Sequence, residues 1–422
     1  MMEDKYAFLD PMDNEWKDVL DGMRKTEQEW GAPFYIFHEN LFVRNLNLLR
    51  KCLGGDVGIA YAMKANPWLA PAAAETADYI EVSTDGELRM CRAYGIPGGR
   101  IILDGVLRTE DMLRDALDMG VRRFGIDSVE QAWQIAEVCD ELCGAGRLGA
   151  DSVKLLLRLG SGGRFGMDKE EAAQCIHFCD KSRTARIVGL HYYPGTQRSE
   201  AGKLKRELEY FRQSLNGLCE LPGAEISEIQ FGCGVGFPYF IGEKREGYAA
   251  AVDEAERFVH ELRKKFKVIY ETGRCAAASA GVYVTKVFQI KEREGKKILF
   301  CLGGTNHLRY PGGALGIRTP HIENLCVAPA GRTSGCMICG ALCNEADVLA
   351  RSAAVDEGVQ RGDLLIFCGA GAYSATEAPN LFLSMEMPSV LVYNKMDNVY
   401  YPQDMRCLRG HASTYRLLDD GM

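Results

Sequence analysis

The sequence lacks the features that mark membrane-spanning, secreted and nucleic-acid-binding proteins. It contains no run of about 18 uninterrupted apolar residues, so we expect no membrane-spanning segment. Its first residues, Met1–Lys5, are acidic where a signal peptide is basic and then apolar. Basic residues form no cluster, and 58 acidic residues outnumber them to give a formal net charge of −8. This balance argues against a nucleic-acid partner.

Cysteine is plentiful, with 16 residues, but it lacks the spacing of a disulfide framework. Scattered thiols without an export signal are typical of a reducing compartment, so we expect a cytoplasmic protein. Cys336 and Cys339 have a zinc-like spacing. Residues three apart in a strand face opposite sides, however, and no second ligand pair follows, so we expect no metal site.

The chain has 422 residues, of which 47% are hydrophobic, and is long enough for two domains. Apolar strand-like segments alternate with helical patterns, as in a parallel sheet with right-handed crossovers. The eight predicted strands are Val57–Met63, Tyr79–Val82, Ile101–Leu103, Val121–Ile126, Val153–Leu159, Arg186–Tyr192, Glu228–Phe231 and Phe266–Tyr270. Eight such units close a (β/α)8 TIM barrel, so we predict an α/β fold with this barrel over residues 36–278.

After residue 278 the pattern becomes rich in strands without long helices between them. The predicted strands are Ala280–Ile290, Lys297–Cys301, Leu325–Pro329, Cys336–Ile338, Leu364–Cys368 and Val390–Tyr393. This pattern predicts a C-terminal antiparallel β domain over residues 279–422, which residues 1–35 join.

Chemically active residues follow three of the predicted barrel strands. Lys64 follows the first, where an apolar surrounding would lower the pKa of its amine and free it for Schiff-base chemistry; an ordinary surface lysine is the alternative. The glycines of 232–236 follow the seventh and suit a phosphate or simply a tight turn. Glu271 and Arg274 follow the eighth and could hold a ring nitrogen and a phosphate, or pair with each other. Together these residues meet the requirements of pyridoxal phosphate.

Motifs along most of the chain carry a family resemblance. They are Tyr61–Asn66, Gly86–Leu88, Arg164–Gly166, Gly189–Gln197, Gly232–Gly236, Glu271–Arg274, Cys343–Asp347 and Gly371–Tyr373. In this order they resemble the barrel-type, alanine-racemase-like (fold-type III) pyridoxal-phosphate decarboxylases, such as diaminopimelate decarboxylase and its relatives from natural-product pathways.

The resemblance implies roles for individual residues. Lys64 would form the Schiff base with pyridoxal phosphate, and Glu271 would pair with the pyridine nitrogen. Cys343 would come from the partner subunit of a homodimer and protonate the carbanion left after CO2 departs. The other cofactor-binding residues would be Tyr193, Thr196, Gly234, Gly273, Arg274 and Tyr373. The substrate would contact Arg274, Arg309, Asn344 and Tyr373.

Departures from the diaminopimelate decarboxylase pattern bear on the substrate. Tyr193 stands where a histidine usually stacks on the cofactor ring, and Asn344 stands where a glutamate reads a distal ammonium. An amide supplies no counter-charge to a cation, so we expect an amino acid whose side chain is acylated or linked to a carrier protein.

The alternatives to this decarboxylase function are an amino-acid racemase on the same fold and a non-catalytic binding protein for pyridoxal phosphate. Cys343 favours decarboxylation over the first, and the β domain argues against the second.

Overall fold

The structure, a computed structural model, describes residues 4–403 except 107, 180 and 396–398, and of residues 399–403 it describes the backbone alone. The chain forms two compact units. The first, here the barrel unit, comprises Leu46–Gly236 and Glu246–Gly273. The second, here the sheet unit, comprises the described residues of Met1–Asn45, Phe237–Arg245 and Arg274–Met422. The domain ranges predicted from the sequence, 36–278 for the barrel and 279–422 with 1–35 for the β domain, stay a prediction.

The strands, in chain order, are β1 (Phe34–His38), β2 (Gly58–Ala62), β3 (Tyr79–Val82), β4 (Ile101–Leu103), β5 (Arg123–Ile126), β6 (Val153–Leu159), β7 (Ala185–Tyr192), β8 (Glu228–Phe231), β9 (Lys267–Thr272), β10 (Gly281–Arg293), β11 (Lys296–Cys301), β12 (Ile322–Leu325), β13 (Thr333–Cys339), β14 (Val348–Asp356), β15 (Leu364–Phe367), β16 (Ser389–Asn394) and β17 (Val399–Gln403). The α-helices are α1 (Lys17–Trp30), α2 (Glu39–Cys52), α3 (Ala70–Thr76), α4 (Asp85–Ala93), α5 (Glu110–Asp118), α6 (Val129–Gly144), α7 (Lys169–Cys179), α8 (Ala201–Cys219), α9 (Arg245–Leu262) and α10 (Arg274–Ala277).

Strands β2 to β9 form a closed parallel barrel, which confirms the predicted (β/α)8 fold. The barrel closes where β2 pairs with β9, with Gly58 opposite Ile269. Fully buried apolar side chains such as Ala60, Ile102 and Ile269 pack together in it. Removal of this apolar surface from water is what stabilises strands that bury both faces. The closed geometry gathers the carboxyl ends of all eight strands at one mouth, where such barrels carry their active sites.

The predicted β domain is also confirmed, as a sheet in the order β14-β13-β11-β10-β1-β16-β17, with β15 pairing β10 and β12. Most pairings are antiparallel, but β1 pairs β16 and β11 pairs β13 in parallel, so the sheet is mixed. The predicted strand Leu325–Pro329 is wrong, because β12 ends at Leu325, the last residue paired with β15. Strand β14 was not predicted, since its exposed Arg351 and Ser352 interrupt the apolar pattern.

Within the described residues, no helix is both long and apolar enough to cross a membrane. No disulfide bond joins any of the cysteines in the same part of the chain.

Candidate active site

Lys64 lies directly after β2, in a single 3-10 turn formed by Met63–Ala65. Its Nζ lies 3.0 Å from Oε1 and 3.1 Å from Oε2 of Glu81, which projects from β3. The Lys64 side chain is 44% exposed, whereas that of Glu81 is only 2% exposed. The desolvation of Lys64 expected from the sequence is therefore wrong: the ammonium has a carboxylate partner and access to solvent.

Glu81 is the buried member of this pair, and its neighbours have opposing effects on its pKa. Burial raises the pKa of Glu81, and the charges of Glu271 and Asp104 raise it further, while the neighbouring Lys64 ammonium opposes them. The Ser83 hydroxyl also donates to Glu81 Oε1 at 3.0 Å. A carboxylate with a raised pKa beside an amine can exchange a proton with it near neutrality.

Glu271, the last residue but one of β9, is paired with His191 on β7. Glu271 Oε2 and His191 Nε2 are 2.9 Å apart, and both side chains are 4% exposed. Burial alone would raise the pKa of Glu271, but the hydrogen bond and charge of His191 outweigh it and lower the pKa. Glu271 is therefore a carboxylate, the form that can hold a protonated ring nitrogen. Gly273 follows directly after this strand.

The loop after β8 packs backbone against backbone on the segment that follows β7. Gly234 has a φ of +62°, and a Cβ atom there would lie 1.7 Å from the carbonyl oxygen of Gly195 and 3.0 Å from Cα of Thr196. A Cβ atom on Gly232 would lie 2.7 Å from the ring of Tyr193. Only glycine fits at these two positions, and a glycine-rich turn of this kind is suited to close approach by an anion.

Arg274 begins α10 in the sheet unit, where two tyrosines hold its guanidinium. Its NH1 donates to the hydroxyl of Tyr239 at 2.9 Å, and its Cζ lies 4.5 Å from the ring centre of Tyr373. Tyr373 has a φ of +66°, an uncommon conformation for a residue with a side chain. Arg309, the other predicted arginine, is 45% exposed and lies 3.8 Å from Glu377.

Cys343 and Asn344 lie on an exposed loop between β13 and β14. Asn344 Oδ1 accepts a hydrogen bond from the backbone N–H of Ala346 at 2.9 Å. Buried Asp347 anchors the end of the loop, since its Oδ1 accepts from the N–H of Thr305 at 2.7 Å and from its hydroxyl at 2.9 Å. The loop's shape is thus fixed by a carboxylate that does not itself reach solvent.

The predicted site residues divide between the two units. The barrel unit contains Lys64, Tyr193, Thr196, Gly234, Glu271 and Gly273, and the sheet unit contains Arg274, Arg309, Cys343, Asn344 and Tyr373. Sequence reasoning missed the roles of Glu81, His191 and Tyr239. A glutamate inside the apolar strand Tyr79–Val82 was the one signal that could have revealed Glu81, because an unpaired buried carboxylate is costly.

A closed parallel barrel with a lysine and the ionised Glu271 at its carboxyl mouth is typical of a barrel enzyme, and the lysine suits a cofactor that has a carbonyl group. Residues 39–278, more than half of the chain, match the family model of the pyridoxal-dependent decarboxylases, pyridoxal binding domain. The chain belongs to this family. It is accordingly a decarboxylase that depends on pyridoxal phosphate.

Similar proteins support this membership over nearly the whole chain. Diaminopimelate decarboxylase of Aquifex aeolicus is 26% identical over 93% of this chain and 94% of the relative. Diaminopimelate decarboxylase of Methanocaldococcus jannaschii is 28% identical over 89% of this chain and 91% of the relative. L-glutamyl-[BtrI acyl-carrier protein] decarboxylase of Niallia circulans is 25% identical over 85% and 87%.

Solved structures share the fold. The crystal structure of diaminopimelate decarboxylase from M. jannaschii in co-complex with L-lysine has a TM-score of 0.77 at 22% identity, covering 93% of this chain and 94% of that chain. Lysine/ornithine decarboxylase from Vibrio vulnificus complexed with putrescine has a TM-score of 0.73 at 21% identity, covering 90% and 99%.

Proposed function

We propose that this enzyme removes the α-carboxylate of an amino acid at the mouth of the barrel, with Lys64 as the residue that binds the cofactor covalently. The observation that carries the proposal is the solvent-accessible Lys64 amine, held against Glu81, in the same barrel mouth as the ionised Glu271. Pyridoxal phosphate fits these residues, because it requires an amine for its carbonyl, a carboxylate for its ring nitrogen and a narrow backbone cradle for its phosphate. The last is offered by Gly234.

The remaining predicted residues would complete the cofactor site. When bound, pyridoxal phosphate supplies an electron sink for the breaking bond between Cα and the carboxylate. Thr196, Gly234, Gly273, Arg274 and Tyr373 would hold the phosphate. Tyr193 would stack on the ring. Arg274 suits a phosphate because its guanidinium offers several donors in one plane.

Protons are moved by side chains of this chain. Glu81 would hold the proton that Lys64 must lose before its amine can act as a nucleophile. Cys343 of the partner subunit in a homodimer would donate a proton to Cα once CO2 has left. This assignment makes the homodimer a requirement for catalysis, and it separates the enzyme from a racemase, which returns a proton without releasing CO2.

The substrate is an amino acid, and we propose one whose side chain ends in an amide or thioester linkage, including a linkage to a carrier protein. Asn344 supports this choice. Its Oδ1 accepts from the N–H of Ala346, and its NH2 group can donate to a further acceptor. This donor suits a carbonyl oxygen, whereas the neutral amide supplies no counter-charge to a distal ammonium. The relative from Niallia circulans, by its name, acts on a glutamyl group on an acyl-carrier protein.

The test is the release of CO2 from a panel of substrates: diaminopimelate, lysine, ornithine, arginine, N-acylated amino acids and carrier-linked glutamate. We expect turnover of the acylated or carrier-linked compounds and a preference for them over the free diamines. Higher turnover of a free diamine would overturn the substrate proposal alone. Loss of optical rotation without CO2 would overturn decarboxylation and indicate racemisation.

We also propose a cytoplasmic location, which the absence of disulfide bonds among the described cysteines supports.

A further inference from the structure

His191 and Asp104 form a buried polar cluster beside Glu271 to which the roles above give no function. His191 lies on β7 and is 3% exposed, and Asp104 follows β4 and is 5% exposed. Gln230 on β8 is fully buried and donates from Nε2 to Asp104 Oδ2 at 3.0 Å. Buried polar groups without full pairing are costly, so their presence in a barrel core calls for a function.

The imidazole of His191 lies between two carboxylates. Its Nε2 is 2.9 Å from Glu271 Oε2, and because Glu271 is ionised, Nε2 carries the hydrogen and donates it. Its Nδ1 lies 3.9 Å from Asp104 Oδ2 and has no hydrogen-bond partner among the described residues. Space around Asp104 is kept by Gly125, where a Cβ atom would lie 1.6 Å from Asp104 Oδ1.

Charge in the cluster favours a protonated imidazole. Burial alone would lower the pKa of His191, but the charge of Asp104 and the hydrogen bond and charge of Glu271 outweigh it and raise the pKa. The Arg158 guanidinium opposes this effect from β6. The charged groups that act on the carboxylates of Asp104 and Glu271 are Glu81, Lys64, Arg108 and again Arg158.

We propose that His191 and Asp104 are positioning residues for Glu271. Asp104 keeps the imidazole of His191 charged, and His191 donates a hydrogen bond from its Nε2–H that holds Glu271 as an oriented carboxylate. The proposal deepens the role of Glu271 and rests on it. Without the imidazolium, Glu271 would be a buried carboxylate in a barrel that also contains Asp104 and Glu81. It would then take up a proton more readily and hold the ring nitrogen less well.

The charge state of His191 tests the first half of the proposal without substrate or cofactor. In apoprotein labelled with 15N-histidine, the His191 signal is assigned by its loss in His191→Gln. We expect the imidazole to remain doubly protonated through neutral pH, and its titration midpoint to fall by about one pH unit in Asp104→Asn. A neutral imidazole at pH 7 in the unaltered protein, or a midpoint that Asp104→Asn leaves in place, would overturn the proposal.

Cofactor affinity tests the second half. Loss of a hydrogen bond to a charged group is worth a factor of about ten or more, so we expect pyridoxal phosphate to bind at least about tenfold more weakly to His191→Phe. His191→Gln retains an N–H donor but no charge, so its affinity for pyridoxal phosphate should lie between those of the unaltered protein and His191→Phe. His177→Gln, an exposed site on α7, is the matched control and should bind as the unaltered protein does. Equal affinity in all four proteins would overturn the proposal. If His191→Phe fails to fold, the His191→Gln and Asp104→Asn measurements still decide it.

Discussion

Lys64 and Glu81 form an ion pair in which the lysine is accessible to solvent and the glutamate is buried, with Nζ 3.0 Å from Oε1. The exposed Lys154 also pairs with a buried glutamate, Glu228, but the pKa of Glu228 is lowered whereas that of Glu81 is raised. The Lys64 ammonium is held by a carboxylate whose pKa burial has raised, so a proton can pass between the two groups as the amine reacts.

Glu81→Gln should extend cofactor capture to lower pH. The amide preserves the shape of the side chain but removes the counter-charge that stabilises the Lys64 ammonium, so more of the amine is neutral at a given pH. The rate at which the absorption band of the covalently bound cofactor appears, measured against pH, checks this. Glu137→Gln, an exposed position on α6, serves as the control. The expectation fails if both variants follow the pH dependence of the unaltered protein.

Lys64→Ala should abolish the covalent absorption band and all decarboxylation while the protein remains folded. Truncation of this exposed side chain should cost little stability, because the buried Glu81 that loses its partner already has a raised pKa and can take up a proton. Spectra of the reconstituted variant, with circular dichroism for the fold, are the measurement. Lys203→Ala, at an exposed position on α8, should keep the band. A persistent band in Lys64→Ala would mean that another lysine binds the cofactor.

Gly234→Ala should weaken binding of pyridoxal phosphate by disrupting the cradle. Its new Cβ would lie 1.7 Å from the carbonyl oxygen of Gly195, so the backbone must move. Gly242→Ala separates this clash from simple strain, because Gly242 also has a positive φ, +89°, but nothing lies within 4 Å of its Cβ position. Titration of each apoprotein with cofactor provides the comparison. Similar affinities for the two variants would contradict a role for the close approach.

Asp347→Asn should lower the rate of decarboxylation through the loop that carries Cys343. The substitution replaces one acceptor oxygen by an amide donor, which leaves a buried N–H unpaired at a cost of about 1–3 kcal/mol. We expect a lower kcat and a change in the rate at which a thiol reagent labels Cys343. Asp356→Asn is the matched control, since Asp356 also accepts backbone N–H groups in a turn, at Ala330 and Gly331. Labelling and kcat that match the control in both respects would refute this role.

The sequence was sufficient for features that depend on position along a strand. Lys64, Glu271 and the glycines of 232–236 each follow an apolar run, and in a parallel barrel that order alone puts them at one mouth. The same reasoning applied to β12 was wrong, because the end of an exposed strand depends on its partner strand and not on its own apolar residues.

Contacts across the barrel could not be predicted in this way. His191 meets Glu271 from a strand 80 residues earlier, and the contact depends on the register of β7, β8 and β9. Nor does a sequence pattern reveal that Asn344 Oδ1 is already used by a turn. Such pairings are a property of the folded barrel and loops.

At the opposite end of the barrel, Glu228 begins β8 and pairs with Arg123 at the start of β5, both nearly buried. Burial alone would raise the pKa of Glu228, but Arg123 and Lys154 outweigh it and lower the pKa from 4.5 to about 2. The pair's stabilisation is therefore complete above the ordinary glutamate range and is lost as pH falls from about 4.5 towards about 2.

Glu228→Gln should accordingly lower the free energy of unfolding of the apoprotein by about 3 kcal/mol at neutral pH, because it leaves the Arg123 guanidinium without a counter-charge. The difference from the unaltered protein should shrink below about pH 4.5, where the wild-type carboxylate itself begins to protonate in the unfolded chain. Urea unfolding at several pH values measures this. A difference that stays constant down to pH 3 would show that the side chain acts by packing and not by charge. Cofactor affinity should be unaffected at neutral pH, since in such barrels this end serves stability and the carboxyl end serves chemistry.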